Sequence, residues 1–216
     1  MKKGMFITFE GPDGSGKTTV STAVTKRLEE EGYAVHYSRE PGGSNIAEQI
    51  RNVILDPANT AMDARTEALL YAASRRQHLV EIVLPLLEQG VHVISDRFID
   101  SSLAYQGCGR HIGIQEVYDM NQFAVEHHMP DKTIYLAIDA KTGLDRIAKG
   151  RDVLDRLDQE ALSFHQDVYN GYLKVIEMYK DRMVIIDASK PADEVIEEAY
   201  LAVKGILDGS QDETDS

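Results

Sequence analysis

Residues 11–18 read Gly-Pro-Asp-Gly-Ser-Gly-Lys-Thr, and this stretch decides the fold class of the chain. It matches the pattern G-x-x-x-x-G-K-[ST], which binds phosphate where it follows a strand and opens a helix. Both neighbours are predicted here, because the short apolar run 5–9 precedes the stretch and a helical segment 17–31 follows it. Backbone N–H groups of such a loop point inward at phosphate oxygens, and the helix N-terminus adds partial positive charge. The sequence therefore predicts a nucleotide phosphate site.

Each position of this loop has an expected task. Lys17 is expected to reach the β- and γ-phosphates, Thr18 to ligate Mg²⁺, and Thr19 to lie near the α-phosphate. Asp96 follows the apolar run 91–95 and is the acid expected to hold Mg²⁺ through water. The predicted ATP-binding residues are Gly11, Pro12, Asp13, Gly14, Ser15, Gly16, Lys17, Thr18 and Thr19.

Short apolar runs alternate with helical segments along the rest of the chain, which predicts an α/β fold with a parallel sheet. The runs are almost continuously apolar, as expected of strands that helices cover on both faces. The predicted strands are 5–9, 34–38, 91–95, 133–138 and 183–187. The predicted helices are 17–31, 45–55, 66–89, 115–127, 141–149, 158–180 and 192–207, with Pro85 expected to kink or restart its helix.

Length and composition narrow the function classes. A chain of 216 residues fits one domain, expected at 1–208, with an acidic disordered tail at 209–216. The net charge of −13 argues against nucleic acid as a partner. A single cysteine, Cys108, excludes an intrachain disulfide and a multi-cysteine metal site. No membrane or export segment is predicted, so a cytoplasmic location is expected.

A phosphate-binding loop leaves open a switch GTPase, an ATPase motor and a small-molecule kinase. The chain has no Asn-Lys-x-Asp stretch for guanine recognition, and it is short for a motor. Several arginines are predicted at strand ends and in loops. This favours transfer of a phosphoryl group between two small molecules, because the negative charge on the acceptor phosphate and on the moving group must be neutralised.

Four segments resemble thymidylate kinases in their bacterial form: 9–19, 39–43 (Arg-Glu-Pro-Gly-Gly), 69–75 and 96–107 (Asp-Arg-x₃-Ser-Ser-x₂-Tyr-Gln-Gly). The resemblance implies a P-loop nucleoside-monophosphate kinase fold with a five-stranded parallel sheet and a mobile lid. It also implies a homodimer and the reaction ATP + dTMP → ADP + dTDP, with Mg²⁺ accompanying ATP. It further suggests a cis peptide bond at Glu40–Pro41.

The resemblance assigns substrate contacts residue by residue. Asp13 is expected to meet the sugar 3′-hydroxyl, and Tyr105 to wall the sugar. Tyr71 and Arg75 are four residues apart, so they share a helix face, one to stack on thymine and one to donate to its exocyclic oxygen. The acceptor phosphate is expected at Arg39, Arg51 and Arg97, and polar contacts to the pyrimidine at Ser102 and Gln106.

The helix predicted over 66–89 has two expected faces. An apolar stripe is expected to face the core, and it consists of Leu69, Ala72, Ala73, Val80, Val83 and Leu87. The face with Tyr71, Arg75, His78 and Ile82 is left for a ligand and, further along, for a partner subunit.

The lid is expected at 150–156. One branch of the family carries an arginine inside the phosphate loop, where this chain has Ser15, so a lid arginine is expected to neutralise the transition state. Arg156 is the first candidate and Arg151 the second. The full expected catalytic set is Lys17, Arg39, Arg97, Arg151 and Arg156.

Two alternatives to a dTMP kinase remain open. One is a broader pyrimidine nucleoside-monophosphate kinase, because a methyl group in an apolar pocket discriminates by only about 1–3 kcal/mol. The other is a P-loop ATPase or binding switch without an acceptor. A second phosphate site at Arg39 and Arg97 and a base clamp at Tyr71, Arg75 and Gln106 argue against the switch.

Overall fold

The computed structural model describes residues 3–150, 156–157 and 160–212. Five parallel strands form one sheet in the order β2-β3-β1-β4-β5. Their bounds are β1 Phe6–Glu10, β2 Val35–Arg39, β3 His92–Asp96, β4 Lys132–Ala137 and β5 Met183–Asp187. All five predicted strands are confirmed, each within one residue of its predicted ends. In the described ranges no helix is long and apolar enough to cross a membrane.

Helices connect the strands and cover both faces of the sheet. They are α1 Lys17–Glu30, α2 Asn45–Leu55, α3 Ala64–His78, α4 Leu84–Glu88, α5 Ile99–Ser102, α6 Ile114–Val125, α7 Ala140–Gly150, α8 Leu162–Met178 and α9 Ala192–Asp212. π-helical turns at Leu79–Val83 and Leu103–Gly109 continue α3 and α5, and a 3₁₀ turn at Lys180–Arg182 precedes β5.

The core has two sides because the sheet is buried on both. On one side α1 packs on β1 and β3, and α9 packs on β5 and on α1, through residues such as Val24 and Val203. On the other side the π-helical turns and α6 pack around Phe98 and Leu103. All five residues of β1 are buried, which accounts for its lack of polar alternation.

The segment Ile99–Gly109 is helical, although the sequence predicted no helix there. Its serines and glycines are poor helix formers, so local propensity gives no helical signal. Every residue of the segment except Cys108 is buried, mainly under α8. Tertiary packing therefore overrides the weak propensity.

The long helix predicted over 66–89 is interrupted as expected near Pro85. The π-helical turn ends at Val83, and α4 begins with Pro85 in its first turn. At the other end of the chain, α9 reaches Asp212 rather than Leu207. Residues 209–212 of the expected tail are therefore helical, and residues 213–216 lie outside the described residues.

The expected division of the helix predicted over 66–89 into two faces is wrong in part. Leu69 is 57% exposed and Val80 is also exposed, whereas His78 is fully buried. The reason is that α3 packs between α2 and α6, so its polar side is covered as well. Burial of His78 is possible because Ser38 Oγ lies 2.7 Å from its Nε2 and Glu40 Oε1 lies 2.9 Å from its Nδ1.

Candidate active site

A cavity of about 530 Å³ opens at the carboxyl ends of β1, β2 and β3. Ligands of open parallel sheets bind at this edge, because the loops that follow the strands meet there. Most predicted site residues line it: Asp13, Gly14, Gly16, Lys17, Thr18, Thr19, Arg39, Arg51, Tyr71, Arg75, Asp96, Arg97, Ser102, Tyr105 and Gln106. The remaining loop residues, Gly11, Pro12 and Ser15, are buried behind the wall.

The phosphate loop is held closely by its own lysine. Lys17 Nζ donates to the carbonyl oxygens of Gly11 at 2.9 Å and Pro12 at 2.8 Å. Burial lowers the pKa of Lys17 to about 8, and Arg97 contributes in the same direction. An incoming phosphate would add negative charge beside this buried ammonium and stabilise its protonated form.

Gly14 has a positive φ of 77° and lies against α7. A Cβ built on Gly14 would come within 2.1 Å of the carbonyl oxygen of Gly143, and one on Gly143 within 2.3 Å of the carbonyl oxygen of Asp13. Only glycines allow this contact, because the opposing atoms belong to the backbone. It places Arg146 of α7 in the cavity wall, a position that the sequence reading did not select.

Thr18 and Asp96 meet although 78 positions separate them. The Thr18 hydroxyl donates to Asp96 Oδ2 at 2.5 Å. β1 and β3 are neighbours in register at Phe9 and Asp96, so the end of β3 lies beside the phosphate loop. A hydroxyl and a carboxylate are the hard oxygen donors that Mg²⁺ prefers, so this pair fits the metal expected from the sequence.

Asp13, Arg97 and Tyr105 form a charged cluster in the cavity wall. Arg97 Nη2 donates to Asp13 Oδ1, and the Tyr105 hydroxyl donates to Asp13 Oδ2 at 2.7 Å. Burial alone would raise the pKa of Asp13, but Arg97 and Lys17 outweigh it and hold the value at about 2. The carboxylate therefore stays ionised throughout the neutral range.

Arg97 adopts a positive φ of 74°, an uncommon conformation for a non-glycine residue. Its Nη1 donates to Ser101 Oγ at 3.0 Å and to the Tyr172 hydroxyl at 3.3 Å. The guanidinium is thus fixed from two sides between the phosphate loop and the segment after β3.

Two further arginines border the cavity at the end of β2. Arg39 Nη2 contacts both oxygens of Glu48 at 3.1 Å, and Arg51 Nη1 donates to the Pro41 carbonyl at 2.8 Å. The Glu40–Pro41 peptide bond is cis, which confirms the expectation. The three arginines therefore surround the same cavity: Arg39 from β2, Arg51 from α2 and Arg97 from the position after β3.

Arg75 is more deeply enclosed than a simple ligand-facing arginine, with 1% of its side chain exposed. Nε donates to Glu40 at 2.8 Å, and Nη1 donates to Ser102 at 3.0 Å and Asn121 at 2.5 Å. Nη2 donates to the Phe98 carbonyl at 2.9 Å. Four of its five N–H groups are thus used within the protein, and the side chain still forms part of the cavity wall.

The structure does not bring Arg156 into the cavity. Its Nε donates to the Ile54 carbonyl at 2.9 Å and its Nη2 to Glu67 Oε2 at 2.5 Å. A buried carboxylate neutralises its charge, so this side chain does not face the phosphate loop as expected. Arg151 and most of the expected lid lie outside the described residues.

Glu10 does not line the cavity but holds Ser101 of its wall in place, a role that the sequence did not reveal. It is fully buried at the end of β1, where Oε2 accepts from Ser101 Oγ at 2.6 Å and from the Tyr172 hydroxyl at 2.9 Å. Its Oε1 accepts from the Phe98 N–H at 2.7 Å. Burial, helped by nearby Asp100, raises the pKa of Glu10 to about 7. An acid that ends an apolar strand was the available signal.

The phosphate loop at the carboxyl edge of a five-stranded parallel sheet, with arginines across the same cavity, defines a P-loop nucleoside-monophosphate kinase fold. Residues 9–199 match the family model described as thymidylate kinase. A thymidylate kinase of Clostridium novyi (strain NT) is 56% identical over 96% of this chain and 100% of its own length. One of Geobacillus sp. (strain WCH70) is 53% identical over 96% and 99%. The chain belongs to the thymidylate kinase family.

A solved structure agrees with this assignment. Thymidylate kinase from Ehrlichia chaffeensis superposes with a TM-score of 0.74 at 32% identity, over 94% of this chain and 99% of that one.

Proposed function

We propose that this chain transfers the γ-phosphoryl group of ATP to dTMP, giving ADP and dTDP. The observation that carries the proposal is the contact of Arg97 with Asp13, because it joins the phosphate loop to a second cluster of cations in one cavity. A donor phosphate on Lys17 and an acceptor phosphate on Arg39, Arg51 and Arg97 would then be neighbours. A switch that only hydrolyses ATP has no use for the second cluster.

Positioning and charge neutralisation carry the chemistry. The acceptor phosphate oxygen is already an anion, so the transfer needs no general base. Lys17 is buried and Arg97 is partly buried, and both line the cavity in which the phosphoryl group would move. In such an enclosed site their attraction for the developing charge is stronger than in water. Among lid residues, Arg151 stays a predicted partner of the transferred phosphoryl group.

Thr18 and Asp96 are the residues that would hold Mg²⁺. When bound with ATP, the metal would neutralise charge on the phosphate oxygens. The residues themselves keep the site in shape, because the hydrogen bond from Thr18 to Asp96 fixes both oxygens beside the phosphate loop.

The acceptor end of the cavity favours a pyrimidine nucleotide. Tyr71, Arg75, Ser102 and Gln106 form the part of the wall where the base would lie. A broader pyrimidine kinase would use the same residues, so relative rates with dTMP, dUMP and dCMP decide between the two. The family assignment supports dTMP as the preferred acceptor.

We also propose that the chain works as a homodimer. Three adjacent helices carry exposed apolar side chains: Val53 on α2, Leu69 on α3 and Phe123 on α6, the last 92% exposed. Exposed apolar side chains that form one contiguous patch are typical of an interface. A second copy is the occupant expected from the family resemblance. The cytoplasmic location stays a prediction.

The test of the transfer reaction replaces each acceptor arginine separately, as Arg39→Met and Arg97→Met. We expect kcat/KM for dTMP to fall at least a hundredfold, with ATP affinity changed less than threefold. Arg27→Met is the matched control, since Arg27 lies on α1 and pairs with Glu197 at the surface. Normal transfer to dTMP in both variants would contradict the proposed acceptor site.

A further inference from the structure

Glu67 is a buried carboxylate behind the base end of the cavity, with 1% of its side chain exposed. It lies on α3 and does not line the cavity itself. Three side chains donate to it: Gln106 Nε2 at 2.9 Å, Arg110 Nη2 at 3.0 Å and Arg156 Nη2 at 2.5 Å. Arg110 is held in turn by Glu160 at 2.7 Å.

The two arginines keep Glu67 ionised. Burial alone would raise the pKa of this carboxyl, but hydrogen bonds from Arg110 and Gln106 hold it below its usual value. An ionised carboxylate only accepts hydrogen bonds. The amide of Gln106 must therefore turn its NH₂ group toward Glu67, since the reverse orientation would place two acceptor oxygens against each other.

This orientation decides what Gln106 can offer to a ligand. Because the NH₂ end of the Gln106 amide is turned toward Glu67, both of its N–H groups lie at that end, and the carbonyl oxygen Oε1 at the opposite end is the one acceptor that the amide can offer to a base. Arg75 beside it can only donate, and four of its five N–H groups are already fixed by Glu40, Ser102, Asn121 and Phe98. Gln106 Oε1 and the remaining N–H of Arg75 therefore supply this part of the wall with an acceptor and a donor whose identities are fixed.

That pair matches one class of pyrimidine. Thymine and uracil carry an N3–H donor next to a carbonyl acceptor at C4. Cytosine carries an N3 acceptor next to an amino donor, so both contacts would be lost and polar groups would be left unpaired. A site built this way rejects the mismatched base far more strongly than a missing methyl group could be rejected.

We propose that Glu67 is a positioning residue that sets base selectivity: it fixes the Gln106 amide so that the cavity accepts thymine and uracil and rejects cytosine. The proposal rests on the proposed function, because it places the base against Gln106 and Arg75. It also gives Arg156 and Arg110 a task, which is to keep the Glu67 carboxylate charged and in place.

The test is Glu67→Gln, compared by kcat/KM for dTMP and dCMP. A glutamine at this position can donate or accept, so Gln106 is free to turn over. We expect the dTMP-to-dCMP ratio to fall at least tenfold, mainly through a higher KM for dTMP, with KM for ATP within twofold of wild type. If Glu67 had a purely structural role, kcat/KM would fall by the same factor for dTMP and dCMP, and their ratio would be unchanged.

Glu160→Gln is the matched control, because Glu160 pairs with Arg110 and has no hydrogen bond with Gln106. The dTMP-to-dCMP ratio of this variant should stay within twofold of wild type. If Glu67→Gln does not fold, Glu67→Asp keeps the charge but withdraws the carboxylate by about 1.5 Å, and the ratio should fall in the same direction by a smaller factor. An unchanged ratio in a folded Glu67 variant, or an equal fall in Glu160→Gln, overturns the proposal. Wild-type protein that releases ADP without regard to dTMP would instead overturn the proposed function.

Discussion

Asp13 offers a prediction in which the substrate and the protein can be changed independently. Its carboxylate is contacted by Arg97 and Tyr105, one on each oxygen. A carboxylate has about four acceptor positions, so two remain for a ligand. If dTMP binds as proposed, its 3′-hydroxyl takes one of them. The perturbation is Asp13→Ala, combined with 3′-deoxythymidine monophosphate as an acceptor that lacks the hydroxyl.

The expected magnitude follows from the charge state of Asp13. Its pKa of about 2 means that the carboxylate is ionised at every pH used for assay. A hydrogen bond to a charged group contributes about 1.5–3 kcal/mol, which corresponds to about 10–150-fold in kcat/KM. Removal of the hydroxyl should therefore cost at least tenfold in wild-type protein and less than threefold in Asp13→Ala.

The assay is coupled ADP release at saturating ATP, with kcat/KM measured for both acceptors in both proteins. Loss of Asp13 also frees Arg97 from one partner, but this affects both acceptors and cancels in the cycle. The reasoning is refuted if removal of the hydroxyl costs the same factor in both proteins.

Three further predictions concern stability, the phosphate loop and assembly. The pKa of Glu10 is raised to about 7 from 4.5, so the folded state binds this proton more tightly than the unfolded state does. The free energy of unfolding should therefore fall as pH rises from about 4.5 to 7, by up to about 3 kcal/mol. Urea titrations across this pH range should show a flatter profile for Glu10→Gln. An unchanged pH profile would contradict the buried position of this group. Gly143→Ala forces a methyl group against the Asp13 carbonyl, so ATP affinity measured by calorimetry should fall at least tenfold, while Gly209→Ala, where a Cβ meets nothing within 4 Å, should leave it unchanged. Phe123→Glu should convert a dimer to a monomer in light scattering, and a wild-type monomer at micromolar concentration would refute the homodimer.

Local patterns predicted the sheet and the phosphate loop well. The loop is a continuous stretch whose spacing and glycines set its shape, so it could be read without any tertiary information. Arg39 and Asp96 end their strands, and β2 pairs with β3 in a register that places them side by side. Parallel topology alone brings such strand-end residues to one edge. This is why most predicted site residues share a cavity.

The parts that the sequence did not predict depend on contacts between distant residues. Glu67 lies 39 positions from Gln106 and 89 from Arg156, and no local pattern indicates that they meet. Arg156 was therefore interpreted from its basic surroundings, whereas a buried acid on α3 holds it. The helix at Ile99–Gly109 escaped prediction for the same reason, since burial under α8 stabilises it against its own propensity.

The central claim is that one cavity joins an ATP site to an acceptor site selective for dTMP. The most direct measurement is ADP release from ATP and Mg²⁺ with dTMP, dUMP, UMP, dCMP, AMP and GMP offered separately, beside a control without acceptor. We predict rapid release with dTMP, slower release with dUMP, and little above the control with the others. Release at the same rate in every tube, including the control, would contradict the account and identify an ATPase without an acceptor site.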